Sequence, residues 1–135
     1  MTVHFCVENM NSCSYNNSVH GGMGMYTNDK IVNKMQDTLK IAADATRLKI
    51  LFCLLDELNY RDNGEHLIEK CVNDIALQVG CSQSLVSHQL KVLKDGGFVK
   101  SNKVGTKIYY SLKDEHVRQI MHITYEHVLE GEENE

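Results

Sequence analysis

The 135-residue sequence contains no proline and no tryptophan, and it has no apolar run of membrane-spanning length. Without about 18 consecutive apolar residues, no membrane partner is expected. The N-terminus also lacks the basic-then-apolar order of a secretory signal. The five cysteines are odd in number and irregularly spaced, which argues against a disulfide scaffold and favours free thiols in a reducing cytoplasm. The length suits a single domain and is too short for a large two-lobed enzyme.

A strong excess of positive charge is lacking as well, since the net charge is −4. That overall balance argues against nucleic-acid binding, but the charge is unevenly distributed. Residues 82–113 contain six lysines and one acid, a net charge of +5, whereas the remainder carries 8 basic and 17 acidic residues. A solvated lysine-rich face would have the same composition as a DNA-binding one, so the motifs have to decide between them.

Residues 1–26 are polar, contain three glycines and show no sustained apolar period. This composition predicts a flexible N-terminal arm. The arm contains four soft potential metal ligands: His4, Cys6, Cys13 and His20. A domain over residues 27–130 is expected to follow, with residues 131–135 as an acidic tail.

Two helices are predicted at the start of this domain. The first begins near Asn28, and its apolar residues recur at helical spacing: Ile31, Val32, Met35 and Leu39. The second follows Asp44, a predicted N-cap, and runs to Leu58. The composition of Asn59–Glu65 is that of a loop.

The middle of the chain has the pattern of a helix-turn-helix. A helix over Val72–Val79 stops at Gly80, and a second helix starts at the predicted cap Ser82 and ends at Gly96–Gly97. The second helix is expected to bury four apolar residues: Leu85, Val86, Leu90 and Leu93.

The residues after this pair change from helical to β-type. The segments Phe98–Asn102 and Thr106–Leu112 are rich in β-branched and aromatic residues, which predicts a two-stranded hairpin with its turn at Lys103–Gly105. A last helix is predicted over about Asp114–Leu129. Helices, helix-turn-helix, hairpin and helix, in that order, predict a mainly α (α+β) fold, the winged helix-turn-helix.

The second helix of the pair has the composition of a DNA-recognition helix. Such a helix presents short polar side chains to the groove at its N-terminal end. Here these residues are Gln83, Ser84, Ser87, His88 and Gln89. Lysines farther along the helix and hairpin would contact phosphates and supply affinity rather than sequence discrimination, principally Lys91, Lys103 and Lys107. The sequence therefore predicts binding to double-stranded DNA.

The last helix contains a candidate metal site made of Asp114, His116, His127 and Glu130. His127 and Glu130 are three residues apart and share a helical face, and His116 lies within ~20° of the phase of His127. The two histidines are nevertheless ~16 Å apart along the axis, too far for one metal ion. An antiparallel copy would bring Asp114 and His116 of one chain to the other pair of its partner. Two nitrogen and two oxygen ligands suit Zn²⁺, so sharing a metal would require a homodimer.

A second candidate site contains Cys71 and Asp74, which are three residues apart at the start of a helix. The arm could supply further ligands, principally Cys6 and Cys13. A thiolate-rich set favours soft ions such as Cd²⁺, Pb²⁺ or Cu⁺ as well as Zn²⁺. The alternative is a half-buried thiol beside a capping carboxylate. Cys53 and Cys81 are interpreted as structural.

Together these residues resemble the ArsR/SmtB family of metal-responsive repressors, zinc-sensing branch. The resemblance covers about residues 38–130 and rests on the segments Ala43–Leu51, Cys71–Ala76, Ser84–Leu93, Gly97–Val99, the hairpin and the four residues of the last helix. It implies a homodimer whose first and last helices form the interface. It also implies that the metal-free form binds an operator and that metal binding releases it. Asn73 stands where thiolate sensors of this family have a second cysteine.

The leading hypothesis is a dimeric, cytoplasmic repressor that senses Zn²⁺ at paired C-terminal helices. One alternative moves sensing of Cd²⁺, Cu⁺ or Pb²⁺ to the arm and Cys71. A zinc hydrolase is disfavoured because four protein ligands leave no open coordination position, and no small organic substrate is expected. A metal-independent DNA-binding protein is the remaining reading.

Overall fold

The computed structural model describes residues 28–55 and 68–132. The predicted arm with Cys6 and Cys13, residue Leu58, the predicted loop and residues 133–135 lie outside the described residues. The chain divides into two units between Asn33 and Lys34, and the core described below belongs to the second unit.

Five helices and three strands are formed by the described residues. In chain order they are α1 (Asp29–Ala42), α2 (Ala45–Leu54), β1 (Lys70–Cys71), α3 (Val72–Val79), α4 (Gln83–Asp95), β2 (Val99–Val104), β3 (Lys107–Leu112) and α5 (Glu115–Glu132). None of the described helices is long and apolar enough to cross a membrane.

The starts of α1 and α2 follow the predicted capping residues. The side chain of Asn28 accepts a hydrogen bond from the backbone N–H of Lys30, and Asp44 accepts one from the N–H of Arg47 at 3.0 Å. The predicted end of α2 was wrong. Leu55 is already extended, at φ −89° and ψ 110°, and its side chain is buried in the core.

The helix-turn-helix has the predicted bounds. Gly80 adopts φ 70° and ends α3 in the left-handed conformation that glycine accommodates without strain. Ser82 then caps α4 by accepting a hydrogen bond from the N–H of Leu85 at 3.3 Å. Local chemistry alone therefore determines where the polypeptide turns between α3 and α4.

A three-stranded antiparallel sheet in the order β1-β3-β2 replaces the predicted two-stranded hairpin. The extra strand, β1, pairs Lys70 with Tyr110 and Cys71 with Tyr109. A strand of two residues has no periodicity to detect, so only the tertiary pairing defines it. The predicted turn was also displaced: Val104 pairs with Lys107, which leaves Gly105 and Thr106 as the two-residue turn.

The core is built from one face each of α2, α3 and α4 together with the inner ends of the hairpin. Its completely buried side chains include Ile50, Leu51, Ile75, Val86 and Leu90. Leu85, predicted to be buried, is instead 40% exposed. Adjacent helical residues point about 100° apart, and Val86 occupies the inward position of that turn.

Helix α5 begins directly after Asp114 and continues three residues beyond its predicted end. Glu130 is therefore helical, and the first two residues of the predicted acidic tail, Gly131 and Glu132, also belong to the helix. On the inner face of α5, the side chains of Val117 and Met121 are buried. The outer face is left to solvent in the single chain.

Candidate nucleic-acid interface and metal-binding residues

The N-terminal half of α4 presents four of the five predicted groove-facing residues to solvent: Gln83, Ser84, Ser87 and His88 are all exposed. On the opposite side of the same turns, Val86, Leu90 and Leu93 are completely buried. The buried leucines and valine fix α4 against α2 and α3, and so hold the polar face outward. This face can donate and accept hydrogen bonds along the edge of a base pair.

Gln89 lies in a different environment from the other four. It is half-buried, and its Oε1 accepts a hydrogen bond from Nη1 of Arg47 at 3.1 Å. The sequence pattern did not reveal this contact, because the two residues are 42 positions apart. Its predicted role as a base contact therefore competes with a role inside the protein.

The predicted phosphate-contacting lysines are exposed, namely Lys91 on α4 and Lys103 and Lys107 on the hairpin. Lys103 lies opposite Ile108, and Lys107 lies opposite Val104. Since neighbouring residues of a strand alternate faces, the two lysines project from opposite faces of the hairpin near its turn. Lys94 is engaged differently, because its Nζ donates to Ser101 Oγ at 2.7 Å and ties α4 to β2.

The first half of the candidate site on α5 lies at the start of the helix. Asp114 Oδ1 accepts a hydrogen bond from the N–H of Val117 at 3.1 Å, and it lies 3.8 Å from His116 Nδ1. The His116 side chain is 90% exposed. The capping geometry therefore places the carboxylate and the imidazole close together at the start of the helix.

The second half, His127 and Glu130, lies on the exposed C-terminal part of α5. His116, Ile120, Ile123, His127 and Glu130 follow one another at steps of four, three, four and three residues. This is the spacing of a single helical stripe. Ile120 and Ile123 are 48% and 59% exposed, so two isoleucines separate the two pairs of candidate ligands along this outer stripe.

Within one chain the two halves do not meet. Among the described residues, no three His, Cys, Asp or Glu side chains are grouped closely enough to hold a metal ion. His122, which the sequence places off the stripe, instead has its Nε2 3.2 Å from Glu126 Oε1. The intersubunit site therefore remains a prediction that requires a second chain.

The structure brings Cys71 and Asp74 together. Cys71 ends β1 immediately before α3, and its Sγ donates to Asp74 Oδ2 at 3.0 Å. Asn73 and Asp74 are exposed and Cys71 is partly exposed, so the pair is accessible to an ion. The ligands that the arm could add lie outside the described residues.

Cys53 is a core residue, as predicted, but it also belongs to a polar cluster that sequence reasoning missed. Its Sγ donates to Gln78 Oε1 at 3.1 Å. Lys70 Nζ donates to the same Gln78 oxygen at 2.6 Å and to the Cys53 carbonyl at 2.8 Å. Burial raises the pKa of the Cys53 thiol, and the Lys70 ammonium partly opposes this shift. Cys81 is half-buried and packs against the core.

The helix-turn-helix, the hairpin and the exposed polar face of α4 define a winged helix-turn-helix DNA-binding protein. Residues 68–101 match the model of bacterial regulatory proteins of the arsR family. The chain is 32% identical over 99 residues to the transcriptional repressor SmtB homolog of Synechocystis sp.. These aligned residues make up 73% of this chain and 67% of that protein. The chain belongs to the arsR family. It is a transcriptional repressor of the metal-responsive ArsR/SmtB type and not an enzyme.

Other relatives and solved structures agree with this assignment. The cadmium resistance transcriptional regulatory protein CadC homolog of Staphylococcus aureus is 37% identical over 91 residues, 67% of each chain. The homodimeric winged helix-turn-helix DNA-binding domain of Mb0332 from Mycobacterium bovis matches with a TM-score of 0.66 at 25% identity, over 86% of this chain and 96% of that one. HlyU from Vibrio cholerae matches with a TM-score of 0.61 at 26% identity, over 73% and 96%.

Proposed function

We propose that this protein is a homodimeric repressor whose metal-free form binds operator DNA and whose affinity for DNA falls when Zn²⁺ binds between the C-terminal helices. The observation that carries the proposal is the outer stripe of α5, in which two exposed isoleucines, Ile120 and Ile123, lie between the candidate ligands at its two ends. An interface that buries Ile120 and Ile123 would also bring the ligands of the two chains together.

The apolar residues left exposed support the dimer. On α1, the side chains of Ile31, Val32, Met35 and Leu39 are each at least 42% exposed, and no residue of this helix is buried in the single chain. A helix with an unburied apolar stripe needs a partner surface. Of the structural relatives, the Mb0332 domain is described as homodimeric.

The four candidate ligands of Asp114 and the α5 stripe form a donor set that suits Zn²⁺. His116 and His127 offer imidazole nitrogens, Asp114 and Glu130 offer carboxylate oxygens, and a closed set of four such ligands is typical of a regulatory or structural ion. Asp114 already lies beside His116 because of its capping position. Two equal sites related by the dimer axis would hold the two helices in one arrangement.

Repression and release then differ in the relative placement of the two recognition helices. A dimeric helix-turn-helix protein contacts two half-sites one helical turn apart, so a change in the distance between its two α4 helices weakens binding. A coupling of about 1–3 kcal/mol between metal and DNA corresponds to a change in affinity of roughly 5- to 150-fold.

Operator affinity measured by fluorescence anisotropy, with and without Zn²⁺ and with a chelator control, tests this proposal. The operator fragment is first selected from random duplexes with the metal-free protein. We expect Zn²⁺ to weaken binding by the wild type, and His116→Ala to abolish the response while leaving metal-free binding intact. His122→Gln is the matched control, since this histidine lies on the same helix but off the stripe. A wild type whose operator affinity ignores Zn²⁺ would contradict the proposal.

A second candidate function is sensing of a soft ion at Cys71, and the 3.0 Å contact between Cys71 Sγ and Asp74 Oδ2 favours it. A thiolate with carboxylate and further sulfur ligands suits Cd²⁺, Pb²⁺ or Cu⁺. The relative from Staphylococcus aureus is named for cadmium resistance. Metal stoichiometry and operator affinity of Cys71→Ser, compared with His116→Ala, distinguish the two sites. If Cys71→Ser responds fully to every one of these ions, this alternative is wrong.

A further inference from the structure

Arg47 connects three elements through one side chain. It lies in the first turn of α2, where Asp44 holds its backbone N–H at 3.0 Å. Its Nε donates to the backbone carbonyl of Ile41, in the last turn of α1. Its Nη1 donates to Gln89 Oε1 at 3.1 Å, in the middle of α4. The guanidinium therefore joins the end of α1 and the start of α2 to the recognition helix.

The Ile41 carbonyl needs such a partner. The last four carbonyls of a helix have no N–H donor within that helix. Only two residues separate α1 from α2. Arg47 supplies a donor at the corner, and the planar guanidinium presents its N–H groups in a fixed fork. The Ile41 carbonyl and Gln89 Oε1 both accept from this one planar group, so the guanidinium fixes the position of one acceptor relative to the other.

The side chain of Ile41 makes a second connection to α4. A β-carbon at Gly96 would lie 2.7 Å from Ile41 Cδ1 and 2.9 Å from its Cγ2, so the isoleucine packs directly against the glycine at the end of α4. Gln89 and Gly96 are seven residues apart, about two helical turns. The end of α1 is thus held to α4 at two points along its length, one polar and one apolar.

We infer that Arg47 is a positioning residue that sets the orientation of the recognition helix relative to α1, and that Gln89 acts through Arg47 rather than as a base contact. The inference rests on the proposed function, in which α1 belongs to the dimer interface and α4 reads the operator. A change in the arrangement of the two chains would then reach α4 through the corner that Arg47 joins.

A double-mutant cycle on the metal-free dimer tests this inference with Arg47→Met, Gln89→Met and the double variant. Loss of one charge-assisted hydrogen bond is expected to lower operator affinity about tenfold in either single variant. Because both substitutions break the same contact, the double variant should be no weaker than the single ones. Losses that add, or an Arg47→Met variant within twofold of the wild type, would overturn the inference.

The salt dependence of binding separates positioning from direct contact with DNA. A lysine or arginine that neutralises a phosphate contributes about one unit to the slope of log affinity against log salt concentration. We expect Arg47→Met to keep the wild-type slope, and a slope reduced by about one unit would overturn the inference. Lys49→Met, which removes an exposed charge from the same helix, is the matched control and should keep the wild-type affinity.

Arg47→Lys keeps the charge but not the fork, and it guards against misfolding of the methionine variant. Circular dichroism and sedimentation establish that each variant is folded and dimeric before its affinity is measured. We expect an intermediate affinity for Arg47→Lys, and full wild-type affinity would contradict the need for two simultaneous donors. If the wild type binds operator with the same affinity with and without Zn²⁺, the proposed metal response is wrong. The double-mutant cycle would still measure the coupling between Arg47 and Gln89.

Discussion

At the scale of single residues, Gly80 has a conformation that other residues adopt only with strain. Its φ of 70° turns the chain between α3 and α4, and a β-carbon there would have no neighbour within 4 Å. Any cost of substitution therefore comes from the backbone and not from a steric clash with other residues.

Gly80→Ala is expected to lower the free energy of unfolding by about 1 kcal/mol. Urea denaturation followed by circular dichroism measures the change. Gly131→Ala is the matched control, since this glycine is helical and also has open space around it. Alanine is favoured in a helix, so this variant should be as stable as the wild type or more stable. Equal losses in both variants would contradict the argument.

The Cys53 thiol should make the free energy of unfolding depend on pH in the alkaline range. Because burial raises its pKa, the folded chain keeps the proton after the unfolded chain has begun to release it. The contribution to stability is complete below the ordinary thiol pKa of about 8.5 and is lost as the pH rises through the folded-state pKa.

The free energy of unfolding should therefore decrease as the pH rises above about 8.5. Cys53→Ala should reduce that decrease, even though the variant is less stable at neutral pH because it leaves a small cavity. Urea titrations between pH 7 and 10 measure both effects. Cys81→Ala retains Cys53 and should keep the wild-type slope; an unchanged slope in Cys53→Ala would refute the assignment.

At the scale of elements, the proposed function gives the hairpin and α4 different roles in DNA binding. The hairpin exposes Lys103 and Lys107 on its two faces near the turn, where they can meet phosphates. The first turns of α4 expose small polar groups that can meet bases. Phosphate contacts contribute affinity, and base contacts contribute discrimination.

Lys103→Ala and Lys107→Ala should each weaken binding to specific and unrelated duplexes by similar factors. Each should also reduce the salt slope by about one unit. By contrast, Gln83→Ala and Ser87→Ala should reduce the preference for the operator over unrelated DNA. Anisotropy titrations at several salt concentrations measure both quantities. A lysine variant with the wild-type salt slope would show that the hairpin does not contact the phosphates.

At the scale of the whole molecule, the proposed dimer would bury apolar residues that the single chain leaves exposed to solvent. Ile123 is 59% exposed on the outer stripe of α5, whereas Leu77 is 84% exposed on α3. Exposure alone therefore does not distinguish an interface residue from an isolated surface leucine. The proposal assigns Ile123 to the interface because it lies between the candidate ligands on the outer stripe of α5.

Ile123→Glu should convert the dimer to monomer at micromolar concentration, because it would place a pair of carboxylates in an apolar interface. Sedimentation velocity measures the association, and operator affinity should fall with it. Leu77→Glu, which adds the same charge on α3, should remain dimeric. Retention of the dimer by Ile123→Glu would locate the interface elsewhere.

How far the sequence predicts this protein differs among its parts. Local roles were predictable where a residue ends a helix or caps one within three residues of itself, as do Gly80, Ser82, Asp44 and Asp114. Three features were not predictable, because each depends on what packs against the segment: the end of α2 at Leu54, the exposure of Leu85 and the strand at Lys70–Cys71. The hairpin turn was misplaced because the register of β2 on β3 decides it.

The candidate sites show the same division. The phase of His116 and His127 and the polar face of α4 follow from helical spacing, which the sequence contains. The Arg47–Gln89 contact and the cluster around Cys53 join residues far apart along the chain, so they exist only after the helices have packed. The helix-turn-helix, its capping and the stripe of candidate ligands could be predicted from the sequence, because these features depend on residues that are close together along the chain. The third strand and the Arg47 junction depend on tertiary packing, because side chains distant in sequence meet only when a common core is formed.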